Sequence, residues 1–239
     1  MDSLWAVLVP SPGTALRASG WALITTVTVV ALAAFARHRG VSVPYTRKIF
    51  HIGVFTGAAA AHSVWGLPGT NVFGVLLASI VVVAVLRGDA DPLYRVLARD
   101  TDRPHRSLFI LVPLATTAIG GLASALLTGP YAVVGYLVSG WGDAAGEPVG
   151  ARWGTHEYRV PSLAGVGATR SLEGSAAVFM VGWGGATVAL WGLAQPSQAA
   201  LVGLACAAVG ALVEAVSNHG LDNLTVQVAA SGTAWILLS

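Results

Sequence analysis

Residues 49–86, IFHIGVFTGAAAAHSVWGLPGTNVFGVLLASIVVVAVL, form a run of 38 residues without Asp, Glu, Lys or Arg. A helix crosses the hydrocarbon core of a bilayer with about 20 residues, so this run is long enough for two crossings. Leu67-Pro68-Gly69 lies near its middle, and proline and glycine there interrupt a helix and favour a tight turn. The run therefore predicts two membrane helices joined by a short turn.

Four further stretches lack these charged residues, namely 18–36, 107–142, 174–213 and 223–239. The second and third are again long enough for a pair of helices, and they carry turn sequences at Thr128-Gly129-Pro130 and Gln195-Pro196. With about 20 residues per crossing, these lengths predict about eight transmembrane helices. We expect an all-α, polytopic integral membrane protein.

The composition agrees with a membrane protein. Of the 239 residues, 55% are hydrophobic and only 10% are charged, and the mean hydropathy is +0.71. A soluble domain usually carries about a quarter charged residues, so the composition excludes a soluble enzyme, a disordered chain and a nucleic-acid binder. The lone Cys206 excludes a disulfide framework and a cysteine-based metal site. No internal repeat is visible, which predicts one membrane-embedded domain over residues 1–239. Residues 1–20 lack the pattern of a removable signal peptide.

The charged residues fall in four clusters, 37–48, 87–106, 143–173 and 214–222, which the predicted helices place on one side of the membrane. These clusters hold 12 of the 13 Lys and Arg residues, Arg17 being the exception. The positive-inside rule places them in the cytoplasm and both termini on the opposite side. Ten of the 11 acidic residues lie there too, which suggests a polar reaction centre at the cytoplasmic membrane surface. Ordinary polar loops are the alternative.

The predicted fifth span ends in the sequence GWGDAAGEPVG, residues 140–150. Asp143 and Glu147 are four residues apart and share a helix face. Carboxylates at a membrane helix end suggest a Mg²⁺ site, and a cap in the headgroup layer is the alternative. Pro148 is expected to end or kink the helix, turning Glu147 away from the site. Glycines at 142, 146 and 150 provide a smooth stripe for close helix packing.

The following segment, residues 151–175, combines glycines with arginines. Arg152, Arg159 and Arg170 are candidates for holding a triphosphate, since guanidinium groups bind phosphate through paired hydrogen bonds. Glu173, beside the start of the sixth span, is a candidate metal ligand. A flexible cytoplasmic loop with ordinary charges is the alternative interpretation.

Two other segments carry candidate site residues, and a third carries a short helix. Polar groups crowd the junction of the last two spans, at Glu214, Asn218, Asp222, Asn223 and Thr225, where capping explains only one of them. The second span opens with residues 46–51, where Arg47, Lys48 and His51 form either a phosphate-binding patch or membrane anchors. In the loop 87–106, residues 92–99 are predicted to form an interfacial helix.

Four blocks taken together resemble the CTP-dependent polyprenol kinases, which include dolichol kinase, phytol kinase and a CTP-dependent diacylglycerol kinase and are related to phosphatidate cytidylyltransferases. The blocks are Arg47-Lys48-x-x-His51, Gly142-Asp143-x-x-x-Glu147-x-x-Gly150-x-x-x-Gly154, Arg170-Ser-Leu-Glu173-Gly-Ser, and Glu214 followed by Asp222-Asn223-Leu-Thr. The resemblance covers residues 46–228. Members often carry Lys at the position of Arg170 and Pro at that of Gln227.

The resemblance implies a kinase that transfers the γ-phosphoryl group of CTP to a prenol, such as phytol or geranylgeraniol, at the cytoplasmic membrane face. On this hypothesis, Asp143 and Glu173 hold Mg²⁺, and Asp143 or Asp222 accepts the hydroxyl proton. Phosphate contacts are then expected from Lys48, Arg152, Arg159, Arg170 and Asn223. Supporting positions are expected at Arg47, His51, Glu147 and Glu214.

Two other functions are open. A cytidylyltransferase would use the same CTP site and release pyrophosphate, but the Ser-Pro that precedes the comparable element in those enzymes is missing before Thr169, which favours the kinase. A transporter or scaffold is disfavoured because the predicted midplane segments carry no ionisable groups. The expected partners are CTP, a lipid alcohol and the bilayer, without nucleic acid, and a homodimer is left open.

Overall fold

The structure, a computed structural model, describes residues 7–161, 168–218 and 220–239. Its helices are α1 (Pro12–His38), α2 (Val43–Arg87), α3 (Pro92–Leu97), α4 (Leu108–Thr128), α5 (Ala132–Trp153), α6 (Leu172–Leu190), α7 (Pro196–Val216) and α8 (Asp222–Leu238). Two short strands, β1 (Glu157–Val160) and β2 (Ala168–Ser171), lie between α5 and α6. The predicted all-α class is confirmed, and the strands are an addition to it.

Four helical segments in the described residues are long and apolar enough to cross a membrane. They are Pro12–His38, Val43–Ala90, Leu108–Trp153 and Pro196–Val216. The second and third contain 48 and 46 residues, about twice the length that one crossing needs. The chain is therefore a helical membrane protein, as its composition predicts.

The three predicted turns coincide with breaks in the helices. Gly66, next to Leu67-Pro68-Gly69, has φ 64° and ψ −159°, which interrupts the helical backbone inside α2. Gly129 has φ 57° and starts the short 3₁₀ segment between α4 and α5. Helix α7 begins at Pro196, directly after Gln195. Left-handed backbone at the two glycines carries no steric cost, because glycine has no Cβ.

The chain divides into two compact units, Met1–Leu111 and Val112–Ser239. In the first unit, the Trp21 ring lies 5.7 Å from Trp65 and 5.6 Å from Phe73, which ties α1 to both halves of α2. A helix is present at Pro92–Leu97 (α3), two residues shorter than the predicted 92–99, and its interfacial position stays a prediction. The single domain over residues 1–239 stays a prediction.

In the second unit, α5 packs against α6 along the predicted glycine stripe. A Cβ on Gly142 would lie 3.1 Å from the carbonyl oxygen of Val178, and one on Gly174 would lie 2.9 Å from that of Gly146. Close backbone approach of this kind suits membrane helices, which gain stability from packing rather than from hydrophobic burial. The prediction of a close helix contact is confirmed.

Of the two expectations for Pro148, an end of the helix is wrong, because α5 continues through Pro148 to Trp153, and a kink at this residue stays a prediction. A proline inside a helix removes the hydrogen bond to the carbonyl four residues earlier, here that of Ala144. Both Gly146 and Gly150, on either side of the proline, lie against Gly174 of α6. This contact supports the helix across the missing hydrogen bond.

The segment after α5 forms an antiparallel hairpin, which the sequence did not predict. Tyr158 pairs with Arg170, and Arg159 pairs with Thr169. Paired residues share a face of the hairpin, and neighbouring residues along a strand point to opposite faces. Arg170 and Arg159 therefore lie on opposite faces.

We predict that Gly135→Ala destabilises the protein, because the added Cβ would fall on the carbonyl oxygen of Gln227 in α8. Overpacking costs about 1–3 kcal/mol, and each kcal/mol lowers Tm by about 2–4 °C in a chain of this size. Thermal unfolding in detergent measures the shift. Gly184→Ala is the control, because no atom lies within 4 Å of its added Cβ. An equal Tm for the two variants would show that α5 and α8 move apart to accommodate the added Cβ with little loss of stability.

Candidate functional site

Three carboxylates from three helices come together in the second unit. Asp143 lies on α5, Glu214 in the last turn of α7 and Asp222 in the first turn of α8. One oxygen from each carboxylate lies within 4.8 Å of the others. Glu214 and Asp222 are each only 7% exposed. Burial of charged carboxylates is costly unless cations or hydrogen bonds compensate for the lost water.

Arg170 of β2 compensates two of these carboxylates. Its Nε donates to Glu214 Oε1 at 2.9 Å, and its Nη2 donates to Asp222 Oδ2 at 2.8 Å. Its Nη1 donates to the carbonyl oxygen of Ser217 at 3.3 Å. The arginine side chain is only 13% exposed, so water screens these pairs weakly. The guanidinium thus joins the hairpin to the ends of α7 and α8.

The start of α8 is anchored to α4 by buried polar side chains. Asn223 donates through Nδ2 to Thr117 Oγ1 at 2.9 Å, and Gln227 donates to the carbonyl oxygens of Thr117 and Asn223. Thr116 donates to the carbonyl oxygen of Gly220 at 2.7 Å. These bonds fix the start of α8, which carries Asp222.

A narrow crevice leads to the carboxylates. Its lining residues are Val138, Ser139, Asp143, Val178, Glu214, Asp222, Asn223 and Val226. The lining combines three valine side chains with hydroxyl, amide and carboxylate groups. Ser139, which the sequence analysis missed, lies one helical turn before Asp143, and that spacing of four was the signal that could have found it.

Glu173, in the first turn of α6, is held by a different set of partners. It accepts hydrogen bonds from Thr155 Oγ1 at 2.6 Å and from His156 Nδ1 at 2.7 Å. These bonds, that from Thr155 first, hold the pKa of the Glu173 carboxyl well below its usual range. Ser171 caps the same helix by accepting from the Gly174 backbone N–H at 3.1 Å. The structure thus ties the two ends of the hairpin segment together at Glu173.

The remaining predicted site residues have varied environments. Arg152 is exposed, with its guanidinium 5.2 Å from the centre of the Trp153 ring, and Arg159 is exposed on the face of the hairpin opposite Arg170. Glu147 is half-buried on α5, one turn beyond Asp143. Arg47, Lys48 and His51 belong to α2 of the first unit, where Lys48 is 6% exposed and the His51 ring lies 4.6 Å from that of Phe55.

Oxygen-rich clusters of carboxylates are the ligands that Mg²⁺ prefers, and the cluster of Asp143, Glu214 and Asp222 fits that requirement. Glu214 and Asp222 lie at helix ends, whereas Asp143 lies in the middle of α5 and not at the helix end that its sequence predicts, because the helix continues to Trp153. The fold and this cluster together define a helical membrane protein with a charged site where α7 ends and α8 begins, beside the middle of α5.

Among known proteins, the chain is 30% identical over 203 residues to a protein of Synechocystis sp. named phytol kinase. The match covers 80% of this chain and 78% of that protein. The chain belongs to the family of polyprenol and phytol kinases, and it is a phosphotransferase. No protein-family model and no solved structure matches the chain.

We predict that Glu173→Gln lowers Tm at pH 7 and that the difference from the wild type shrinks in acid. Folding lowers the pKa of this carboxyl, so its contribution to stability is present above the unfolded value of about 4.3. That contribution is lost as the pH falls through the folded value. Thermal unfolding between pH 7 and pH 3 measures it.

Glu157→Gln is the control for this series, because it changes an exposed carboxyl of the same hairpin segment. It is expected to give a small Tm difference that does not vary in the same way with pH. A Glu173→Gln deficit that stays constant down to pH 3 would contradict the role of the ionised carboxylate.

Proposed function

We propose that this chain is a CTP-dependent lipid alcohol kinase that transfers the γ-phosphoryl group to a prenol of the phytol or geranylgeraniol type. The relationship to a phytol kinase supports the class of acceptor. The observation that carries the proposal is the buried cluster of Asp143, Glu214 and Asp222 with Arg170 at its edge. Phosphoryl transfer requires positioning and neutralisation of charge more than covalent chemistry from the protein.

The three clustered carboxylates are the proposed Mg²⁺ ligands. A bound Mg²⁺ would neutralise negative charge on the phosphates of the nucleotide. Arg170 supplies a guanidinium that can pair with phosphate oxygens, and Asn223 lines the same crevice. Asp143 and Asp222 are the two candidate acceptors for the hydroxyl proton. The predicted metal role of Glu173 and the predicted phosphate roles of Lys48, Arg152 and Arg159 stay predictions.

We further propose that the chain crosses the membrane eight times. The breaks inside the two long apolar segments and the lengths of α6 and α8 support this number. On the positive-inside rule, the ends of α5 and α7 and the starts of α6 and α8 face the cytoplasm. A water-soluble nucleotide and the hydroxyl of a membrane-dissolved prenol can meet at such a boundary.

A radiochemical assay on the purified protein tests the reaction. The protein in lipid nanodiscs is incubated with Mg²⁺, γ-labelled CTP or ATP, and phytol, geranylgeraniol, farnesol or diacylglycerol. We expect label in a prenyl phosphate and release of CDP. A parallel reaction with α-labelled CTP detects a CDP-lipid. Label in the CDP-lipid with release of pyrophosphate would identify a cytidylyltransferase, and no transfer to any acceptor would refute the proposal.

We predict that Asp143→Asn retains the fold and lowers turnover by more than the ~10–100-fold typical of changes outside the ligand shell, because it removes a proposed metal ligand. Initial rates at saturating CTP and acceptor measure the effect. Asp100→Asn is the matched control, since Asp100 is an exposed carboxylate paired with Arg103 in the first unit. Full activity of a folded Asp143→Asn variant would contradict the assignment of Asp143 as a metal ligand.

A further inference from the structure

Arg170 engages the same carboxylates that are proposed to bind a divalent cation. Its Nε and Nη2 lie 2.9 and 2.8 Å from oxygens of Glu214 and Asp222, and its Nη1 donates to the Ser217 carbonyl. The other oxygen of Asp222 accepts from the backbone N–H of Asn223 at 3.0 Å. All three guanidinium nitrogens therefore have protein partners in this state.

The position of Arg170 has two electrostatic consequences. A guanidinium and a divalent cation that share carboxylates repel one another, and the low exposure of Arg170 limits screening of that repulsion by water. When a triphosphate is bound, the effect of Arg170 on cation binding becomes favourable, because the negative charge of the phosphates attracts both the guanidinium and the cation. The same arginine thus disfavours the cation alone and favours the cation with a nucleotide.

We propose that Arg170 couples metal binding to nucleotide binding. It weakens the binding of a free divalent cation to Asp143, Glu214 and Asp222, and it shifts from carboxylate to phosphate oxygens when a nucleotide is present. This inference rests on the proposed function, since it takes the three carboxylates as the metal site. Coupling of this kind is reciprocal, so the cation raises the affinity for the nucleotide by the same factor.

Binding of Mn²⁺, followed by the electron paramagnetic resonance signal of free Mn²⁺, tests the coupling without turnover. The wild type and Arg170→Gln are titrated with Mn²⁺ alone and with β,γ-methylene analogues of CTP and ATP, at matched free Mn²⁺. We expect the better analogue to tighten Mn²⁺ binding to the wild type about tenfold or more, within the usual range of coupling between sites. Arg170→Gln is expected to bind Mn²⁺ alone about tenfold more tightly than the wild type and to lose most of the enhancement.

Two variants control for the loss of an arginine. Arg170→Lys keeps the charge and loses the two-pronged geometry, so it should retain most of the weakening of free Mn²⁺ binding. Arg103→Gln removes the same charge from an exposed arginine of the first unit that pairs with Asp100 and has no proposed site role, and its affinity for free Mn²⁺ should match the wild type. Circular dichroism and size-exclusion chromatography verify that each variant folds.

The outcomes separate this inference from the proposed function. Equal Mn²⁺ affinity of the wild type with and without either analogue overturns the coupling, and that measurement needs no variant to fold. Weaker Mn²⁺ binding by folded Arg170→Gln also overturns it, because Arg170 would then only orient the carboxylates. If Mn²⁺ binds and Asp143→Asn weakens it, the proposed metal site stands in either case. If Asp143→Asn leaves the affinity for Mn²⁺ unchanged, both the coupling by Arg170 and the proposed metal site are overturned.

Discussion

Buried charge is the constraint on which the second unit depends. Glu214 and Asp222 lie at the ends of two consecutive helices and are nearly inaccessible to water. Removing one partner from a buried ion pair typically costs about 3–5 kcal/mol, because the other charge is left without compensation. Arg170 meets both carboxylates, and it can do so only because a strand brings it from outside the helices to their ends. The same contacts of Arg170 therefore form part of the site and hold the ends of α7 and α8 together.

Close packing of the helices supplies the second constraint. Small residues on α5 let its backbone approach α6 and α8, and Gly135 lies directly against the Gln227 carbonyl. In a membrane, helices gain little from leaving lipid, so such contacts and interhelical hydrogen bonds determine the arrangement. Asn223 and Gln227 provide those hydrogen bonds at the α4–α8 contact.

Much of the helical framework could be predicted because its signals are local. Charge-free runs fix where helices can lie, and the glycine and proline signals at Gly129 and Pro196 mark where they stop. Pro148 shows the limit of this reasoning, since packing against α6 overrides the local preference. The hairpin escaped prediction because four-residue strands carry too little periodicity to be distinguished from a glycine-containing loop.

The candidate site was predictable as a set of residues and less so as a set of contacts. Asp143, Arg170, Glu214 and Asp222 were all singled out from the sequence, and the structure brings them together. Which carboxylates meet depends on the pairing of distant helices, which spacing along the chain does not encode. Arg159 and Arg170 looked equivalent in the sequence, and the alternation of the strands separates them.

The register of the hairpin determines which arginine reaches the carboxylates. A shift of one residue would turn Arg170 to the other face, because side chains alternate along a strand. Several contacts oppose such a shift: Tyr158 bonds Ser175 at 2.7 Å, the Leu172 N–H donates to the His156 carbonyl, and Glu173 accepts from Thr155 and His156. Glu173 thus closes the hairpin at its base. Because Glu173 helps to hold the register, the position of Arg170 depends on residues that do not themselves contact the cluster of carboxylates.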